Sequence, residues 1–133
     1  MNSRRNFFSS VTALLLAICG KARTQARNGA KELARHVLTG PQEGMEAILV
    51  EVTAMSEAST VHRHPGFVLG YVLDGELKFA INGGTPEAVK TGGTFFEPHG
   101  ALHTTGASAK PDQPVRFLAF IVAPKGSPVV LPA

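Results

Sequence analysis

The stretch HRHPGFVLGYVLDGE, residues 62–76, decides the fold of this chain. It places two histidines, His62 and His64, two positions apart in a run rich in residues that favour strands. Residues i and i+2 of a strand point to the same face, so both imidazoles can reach one point above that face. Because neutral imidazole is the commonest side-chain ligand for metals, the pair suggests a metal site.

A second stretch, GGTFFEPHGALH, residues 92–103, ends in a third histidine. Together the two stretches resemble the two motifs of the cupin superfamily, in particular its small single-domain, quercetin-dioxygenase-like members. The first motif is H-x-H, then Glu after three or four residues and Gly after six more. The second is Gly, five residues, P-x-G, two residues and His. The matching residues are His62, His64, Gly75, Gly92, Pro98, Gly100 and His103.

Three positions depart from the cupin pattern. Ser56 stands where a Gly is expected, Ala107 stands where an Asn is expected, and Val68 occupies the place of the usual metal-binding Glu. The resemblance therefore implies only three metal ligands, namely His62, His64 and His103. It implies a divalent transition metal, with iron preferred and manganese, nickel, copper or zinc as alternatives, because imidazoles suit all of these ions.

Four residues near the motifs are candidates for the surroundings of the metal or for a pocket: Val68, Gly70, Glu97 and His99. If position 68 faces the metal, Gly70 shares its face and leaves room there for a substrate. Glu97 and His99 flank Pro98, and Glu97 comes just before the turn. We therefore expect these two side chains at the mouth of the barrel, in contact with ligands or substrate. The alternative is that one of them replaces the missing carboxylate and binds the metal directly.

The rest of the chain consists of short apolar runs separated by Gly and Pro, and it contains no amphipathic helix outside the N-terminal segment. We predict an all-β protein, which the resemblance narrows to a double-stranded β-helix, or jelly-roll, barrel covering residues 27–133. The polar residues 104–114 are predicted to form a loop, and residues 123–133 an extended tail. The predicted strands cover residues 33–38, 46–53, 60–64, 69–73, 76–81, 87–90, 94–96, 101–105 and 115–122.

The last predicted strand is apolar on both faces. One face carries Phe117, Ala119 and Ile121, and the other carries Leu118, Phe120 and Val122. A strand that is apolar on both faces is covered on both faces. In so small a domain, the second cover is expected to be another subunit, so we predict a homodimer.

The first 26 residues are predicted to form a signal peptide. Residues 3–8, SRRNFF, resemble the twin-arginine export signal, and the apolar run at residues 11–18 is too short for a permanent membrane span. Cleavage is predicted after Ala26, which gives a periplasmic or secreted protein without stable membrane insertion. A lipid anchor at Cys19 is an alternative, but the bulky Ile18 before it argues against this.

The basic character of the chain comes from this segment. The isoelectric point is about 9.4, yet four of the 13 basic residues lie within residues 1–26, which contain no acid. The remaining nine basic residues stand against ten acidic ones. Nucleic-acid binding is therefore not expected, because a near-neutral domain does not attract phosphate backbones.

Three functions are compatible with this sequence. The first is an exported metal-dependent oxidoreductase acting on a small organic substrate, similar to the cupin thiol and diketone dioxygenases, which hold iron with three histidines. The second is a module that binds a small molecule or a metal without turnover, which the loss of the Glu at Val68 favours. The third is a metal-independent, sugar-epimerase-like cupin, which needs basic residues around its pocket.

Overall fold

Short β-strands are almost the only regular secondary structure in the computed structural model, which describes residues 27–57 and 60–133. A single 3-10 turn, Gly40–Gln42, joins the first two strands. The predicted signal peptide and Cys19 lie outside the described residues, and export stays a prediction. The strands are β1 (Gly29–Val37), β2 (Met45–Ala54), β3 (His62–Arg63), β4 (Phe67–Asp74), β5 (Glu76–Ile81), β6 (Glu87–Lys90), β7 (Thr94–Glu97), β8 (Leu102–Ser108), β9 (Val115–Pro124) and β10 (Leu131–Pro132).

The strands form two five-stranded antiparallel sheets. The first sheet has the order β1-β2-β9-β4-β7, and the second sheet has the order β10-β3-β8-β5-β6. Ten residue pairs join β2 to β9 in unbroken register, from Met45 opposite Pro124 to Ala54 opposite Val115. The prediction of an all-β fold is confirmed.

The core follows from the alternation of side chains along the strands of the first sheet. On β9, Phe117, Ala119 and Ile121 are buried, while Phe120 is exposed and Leu118 and Val122 are half-buried. The two sets of residues alternate as the sequence predicted, and a cover over the second face stays a prediction. Burial of each large aliphatic side chain contributes about 1.5–3 kcal/mol. The largest completely buried side chains are those of Ile48, Leu77, Ile121, Val68, Val72 and Val115.

Three differences from the predicted strands are the largest. Strand β8 runs to Ser108, through residues predicted as a polar loop, because Leu77 of β5 pairs with Ser108. Strand β1 begins at Gly29 rather than at Leu33. In the tail, Leu131 pairs with Arg63, so a short strand covers the outer edge of β3. The small and polar residues in these segments give no strand signal in the sequence. The segments are strands because they pair with a neighbouring strand.

None of the helical structure in the described part of the chain is long and apolar enough to cross a membrane.

Candidate metal centre

The three predicted histidines meet on the second sheet. His62 on β3 lies directly opposite His103 on β8, and His64 follows the end of β3. The ligand atoms of the three imidazoles lie within 4.8 Å of one another. Strand β3 is short because His64 precedes Pro65, which has no N–H for a ladder hydrogen bond. The chain therefore leaves the strand directly after His62 and His64.

One ring nitrogen of each histidine is bound to a backbone carbonyl. Nδ1 of His62 donates to the Thr60 carbonyl at 2.7 Å. Nδ1 of His64 donates to the Val129 carbonyl at 2.7 Å, and Nε2 of His103 donates to the Thr105 carbonyl at 2.9 Å. A carbonyl oxygen only accepts, so each of these nitrogens carries the ring proton. The second nitrogen of each neutral imidazole therefore presents a lone pair.

The lone pairs converge without a proton between them. Nε2 of His62 and Nε2 of His64 are 3.1 Å apart. With both Nδ1 atoms protonated, neither neutral ring can donate to the other, so the two lone pairs repel. Nδ1 of His103 is buried and has no hydrogen-bond partner among the described residues. A cation at the centre satisfies all three nitrogens, so these residues fit a divalent transition metal.

A carboxylate lies beside the imidazoles. The Glu97 side chain is only 3% exposed. Its Oε1 is 3.3 Å from Nδ1 of His103, and its Oε2 is 3.8 Å from Nε2 of His64. Oε2 has no hydrogen-bond partner within the described ranges. Glu97 comes from β7 of the first sheet, so it approaches the histidines from the opposite side of the interior.

Burial controls protonation at the site. It raises the pKa of the Glu97 carboxyl to about 7. It lowers the pKa of His103 to about 4, with a further depression from nearby His62 and His64. Burial is also the main cause of the lowered pKa of His64. His64 and His103 are therefore neutral near pH 7, which is the form that binds metals, and the contact of His103 with Glu97 is not an ion pair.

The imidazoles open into a cavity of about 300 Å³ between the two sheets. Its walls are mostly apolar, and no lysine or arginine of the described ranges lines it. Asn28, Glu57 and Thr60 are the polar or charged residues that line it besides the histidines, Thr53 and Glu97. The apolar walls include Val50, Val52, Phe95, Phe117, Ala119 and Ile121. Such a cavity suits a small, largely apolar molecule next to a metal.

The other predicted residues lie in different places. Val68 is completely buried in the core, on the same sheet as Glu97. A Cβ at Gly70 would lie 2.0 Å from the Phe95 ring, so the space predicted for a substrate is filled by that ring. His99 is exposed in a turn, away from the cavity. The predicted contact of Glu97 with the ligand histidines is present, although alternation along β7 places its side chain in the interior with Phe95 rather than at the barrel mouth.

Sequence reasoning missed the three carbonyls that orient the rings. Those of Thr60 and Thr105 each lie two residues from the histidine that they bind, so a turn or bulge signal could have suggested them. The carbonyl of Val129 lies 65 residues from His64. A backbone carbonyl has no side-chain signature, so no motif could have revealed it.

Comparison with known proteins places the chain in a family. Residues 49–121, more than half of the chain, match the sequence model of the family described as Cupin domain. Among curated proteins, none matches the sequence significantly.

Solved structures share the fold at low sequence identity. An uncharacterized conserved protein with a double-stranded β-helix domain from Klebsiella pneumoniae is 19% identical, with a TM-score of 0.61, covering 83% of this chain and 88% of that one. The DMSP lyase DddQ from Ruegeria pomeroyi is 23% identical, with a TM-score of 0.57, covering 83% and 54%. The polyketide cyclase RemF from Streptomyces resistomycificus is 23% identical, with a TM-score of 0.51, covering 75% and 79%. The double-stranded β-helix prediction is confirmed.

Proposed function

The chain belongs to the cupin domain family, and on that premise we propose that it is a metal-dependent, dioxygenase-like oxidoreductase acting on a small organic molecule. The proposed metal ligands are Nε2 of His62, Nε2 of His64 and Nδ1 of His103. One observation carries the proposal: three backbone carbonyls fix the ring protons so that three lone pairs meet at one point. The proposal includes export through residues 1–26, which rests on the sequence alone.

The residues of this chain would hold the metal and shape what reaches it. A bound divalent metal supplies Lewis-acid or redox chemistry. The carbonyls of Thr60, Val129 and Thr105 keep the rings in one orientation, so that the ligands need not reorganise when the metal binds. The apolar walls of the cavity exclude water, which strengthens every electrostatic interaction inside. A set of three protein ligands leaves positions open for a substrate.

The cavity also bears on the substrate class. A site for sugar phosphates or other anions needs cationic side chains, and no lysine or arginine of the described chain lines this cavity. This observation supports a small, neutral and mostly apolar substrate, and it argues against the sugar-epimerase-like alternative. Enolisable diketones and thiols are the first compounds to test, because three-histidine cupins of the dioxygenase kind act on them.

A binding module without turnover is the second candidate. It is favoured by Val68, which removes the carboxylate that cupins usually carry at that position. The shared fold cannot choose between the two, because one fold hosts enzymes and binding proteins alike. Where the module binds a metal, metal binding is common to both candidates, and oxygen consumption separates them.

The experiment measures metal content and oxygen uptake of the full chain. Replacement of His103 by Ala removes one ligand, and we expect iron, manganese, nickel, copper and zinc affinity to fall by more than about 100-fold, beyond the loss caused by an outer hydrogen-bond partner. His99→Ala is the matched control, since it removes an exposed imidazole outside the cavity. Equal metal affinity in wild type and His103→Ala would refute the metal site.

Oxygen uptake is then followed with the metal-loaded protein and a panel of diketones and thiols. Uptake that depends on substrate and disappears in His103→Ala supports the oxidoreductase. Tight metal binding with no uptake for any compound of the panel supports the binding module instead.

A further inference from the structure

Cupins usually carry a metal-binding carboxylate at the position of Val68, and in this chain a neighbouring residue can replace it. Val68 of β4 lies directly opposite Glu97 of β7 in the first sheet. Both residues are buried, at 0% and 2% exposure, and both side chains point into the interior. Residues that lie opposite each other on antiparallel strands have Cβ atoms about 4.5–5.5 Å apart. The carboxylate that is missing at position 68 is therefore present at position 97, directly opposite on the neighbouring strand.

The Glu97 carboxylate lies where a metal ligand is expected, rather than a side chain with a structural role. Its two carboxylate oxygens lie 3.3 and 3.8 Å from Nδ1 of His103 and Nε2 of His64. Both belong to the three nitrogens whose lone pairs the backbone hydrogen bonds leave free. Neither a lysine nor an arginine of the described ranges lines the cavity beside Glu97. A buried carboxylate without a paired cation is costly, and a metal ion at this point offsets the cost.

The sequence around Glu97 explains how it reaches the site. Along β7 the buried residues are Phe95 and Glu97, and the exposed ones are Thr94 and Phe96. This alternation turns Glu97 inward at the last residue of the strand, just before Pro98 ends the ladder. The Phe95 ring fills the space over Gly70, so the cavity wall near β4 is closed and the carboxylate comes from β7.

We propose that Glu97 is the fourth metal ligand of this protein and replaces the carboxylate that the family usually supplies from the position of Val68. The assignment rests on the proposed metal site of the three histidines. It makes the ligand set three nitrogens from the second sheet and one oxygen from the first. It also lowers the net charge of the metal site by one and adds an oxygen ligand, which favours iron or manganese over copper.

The test uses Co²⁺ as the probe, because its visible absorption bands report which atoms are bound, in addition to the affinity. Two single variants of the full chain, Glu97→Gln and Glu97→Val, are compared with wild type. We expect each to bind Co²⁺ more than about 100-fold more weakly, beyond the 10–100-fold loss of an outer partner, and to show shifted bands. Glu57→Gln is the matched control, because Glu57 also lines the cavity but is exposed.

A transfer variant sharpens the test. Val68→Glu combined with Glu97→Val returns the carboxylate to the usual position, and we expect it to recover Co²⁺ affinity to within about tenfold of wild type. Thermal unfolding checks that each variant is folded. Where the double variant does not fold, Glu97→Gln, which keeps the side-chain volume, decides alone.

Two outcomes would overturn the assignment. Wild-type affinity in Glu97→Gln and Glu97→Val shows that Glu97 does not bind the metal. Weaker binding with unchanged Co²⁺ bands shows that Glu97 acts only through the imidazoles. His103→Ala, measured alongside, separates this failure from the failure of the metal site. If His103→Ala loses Co²⁺ and the Glu97 variants keep it, only the fourth ligand is wrong, whereas if none loses Co²⁺, the metal site itself is wrong.

Discussion

The two sheets of this protein differ in how their residues are held in place. The first sheet contains the long ladder of β2 and β9, with ten consecutive residue pairs, and most of the completely buried side chains. The second sheet carries all three histidines, but β3 is two residues long and pairs with only two residues of β10. The imidazoles are oriented by single hydrogen bonds to carbonyls rather than by a continuous ladder.

This difference separates stability from chemistry. Packing in the first sheet contributes most of the free energy of folding, because burial of apolar area is the dominant favourable term. The second sheet contributes lone pairs at fixed positions. We therefore expect substitutions in the first sheet to change stability without changing metal affinity. Substitutions around β3 are expected to change metal affinity without changing stability. Glu97 is the exception, since it belongs to the first sheet and faces the histidines.

The largest effect is expected for the core of the first sheet. Ile48 is completely buried and does not line the cavity. Ile48→Ala leaves a void, and we expect a loss of about 2–5 kcal/mol in the free energy of unfolding, measured by urea denaturation. Metal affinity of the folded protein should stay at the wild-type value. Lys78→Ala, at an exposed position of β5, serves as the control. A large loss of metal affinity in folded Ile48→Ala would break the separation.

A smaller effect, confined to metal binding, is expected for the C-terminal tail. Removal of residues 129–133 deletes the carbonyl that binds Nδ1 of His64. We expect metal affinity to fall by about 10–100-fold, as for loss of other partners that orient ligands. Removal of residues 131–133 alone is the control, because it deletes β10 but keeps Val129. Equal losses for the two truncations would show that strand pairing, and not the carbonyl, holds His64.

The smallest effect on the monomer is expected on the outer face of the first sheet. Leu69 lies opposite both Phe96 and Phe120, and the three side chains are 50%, 52% and 39% exposed. This continuous apolar row supports the proposal that a second copy of the chain covers the face. Phe120→Asp should abolish a concentration-dependent dimer in sedimentation experiments. At concentrations where wild type is monomeric, the free energy of unfolding should change by only about 0.5 kcal/mol.

The control for this face is Lys78→Asp on the second sheet, which should leave the dimer intact. Sedimentation that shows a monomer for wild type at every concentration would contradict the proposed homodimer.

The outcome for Glu97 shows where sequence reasoning reached its limit. The histidines were predicted correctly as a cluster, because their spacing along one strand and the Gly and Pro residues of the second motif carry the information. Glu97 was predicted at the barrel mouth because it directly precedes Pro98. Its position beside the imidazoles depends on β7 pairing with β4, and Val68 and Glu97 are 29 positions apart in the sequence. Nothing in either local sequence records that pairing.

By itself, the sequence determined the all-β class, the strands β5 and β6, and the convergence of His62 and His64. These features are local, because side-chain alternation and turn chemistry act over a few residues. Only the tertiary structure decided that β8 extends to Ser108, that the Val129 carbonyl orients His64, and that Glu97 faces the histidines across the interior. Each of these depends on register between distant strands, which the packing of both sheets fixes together.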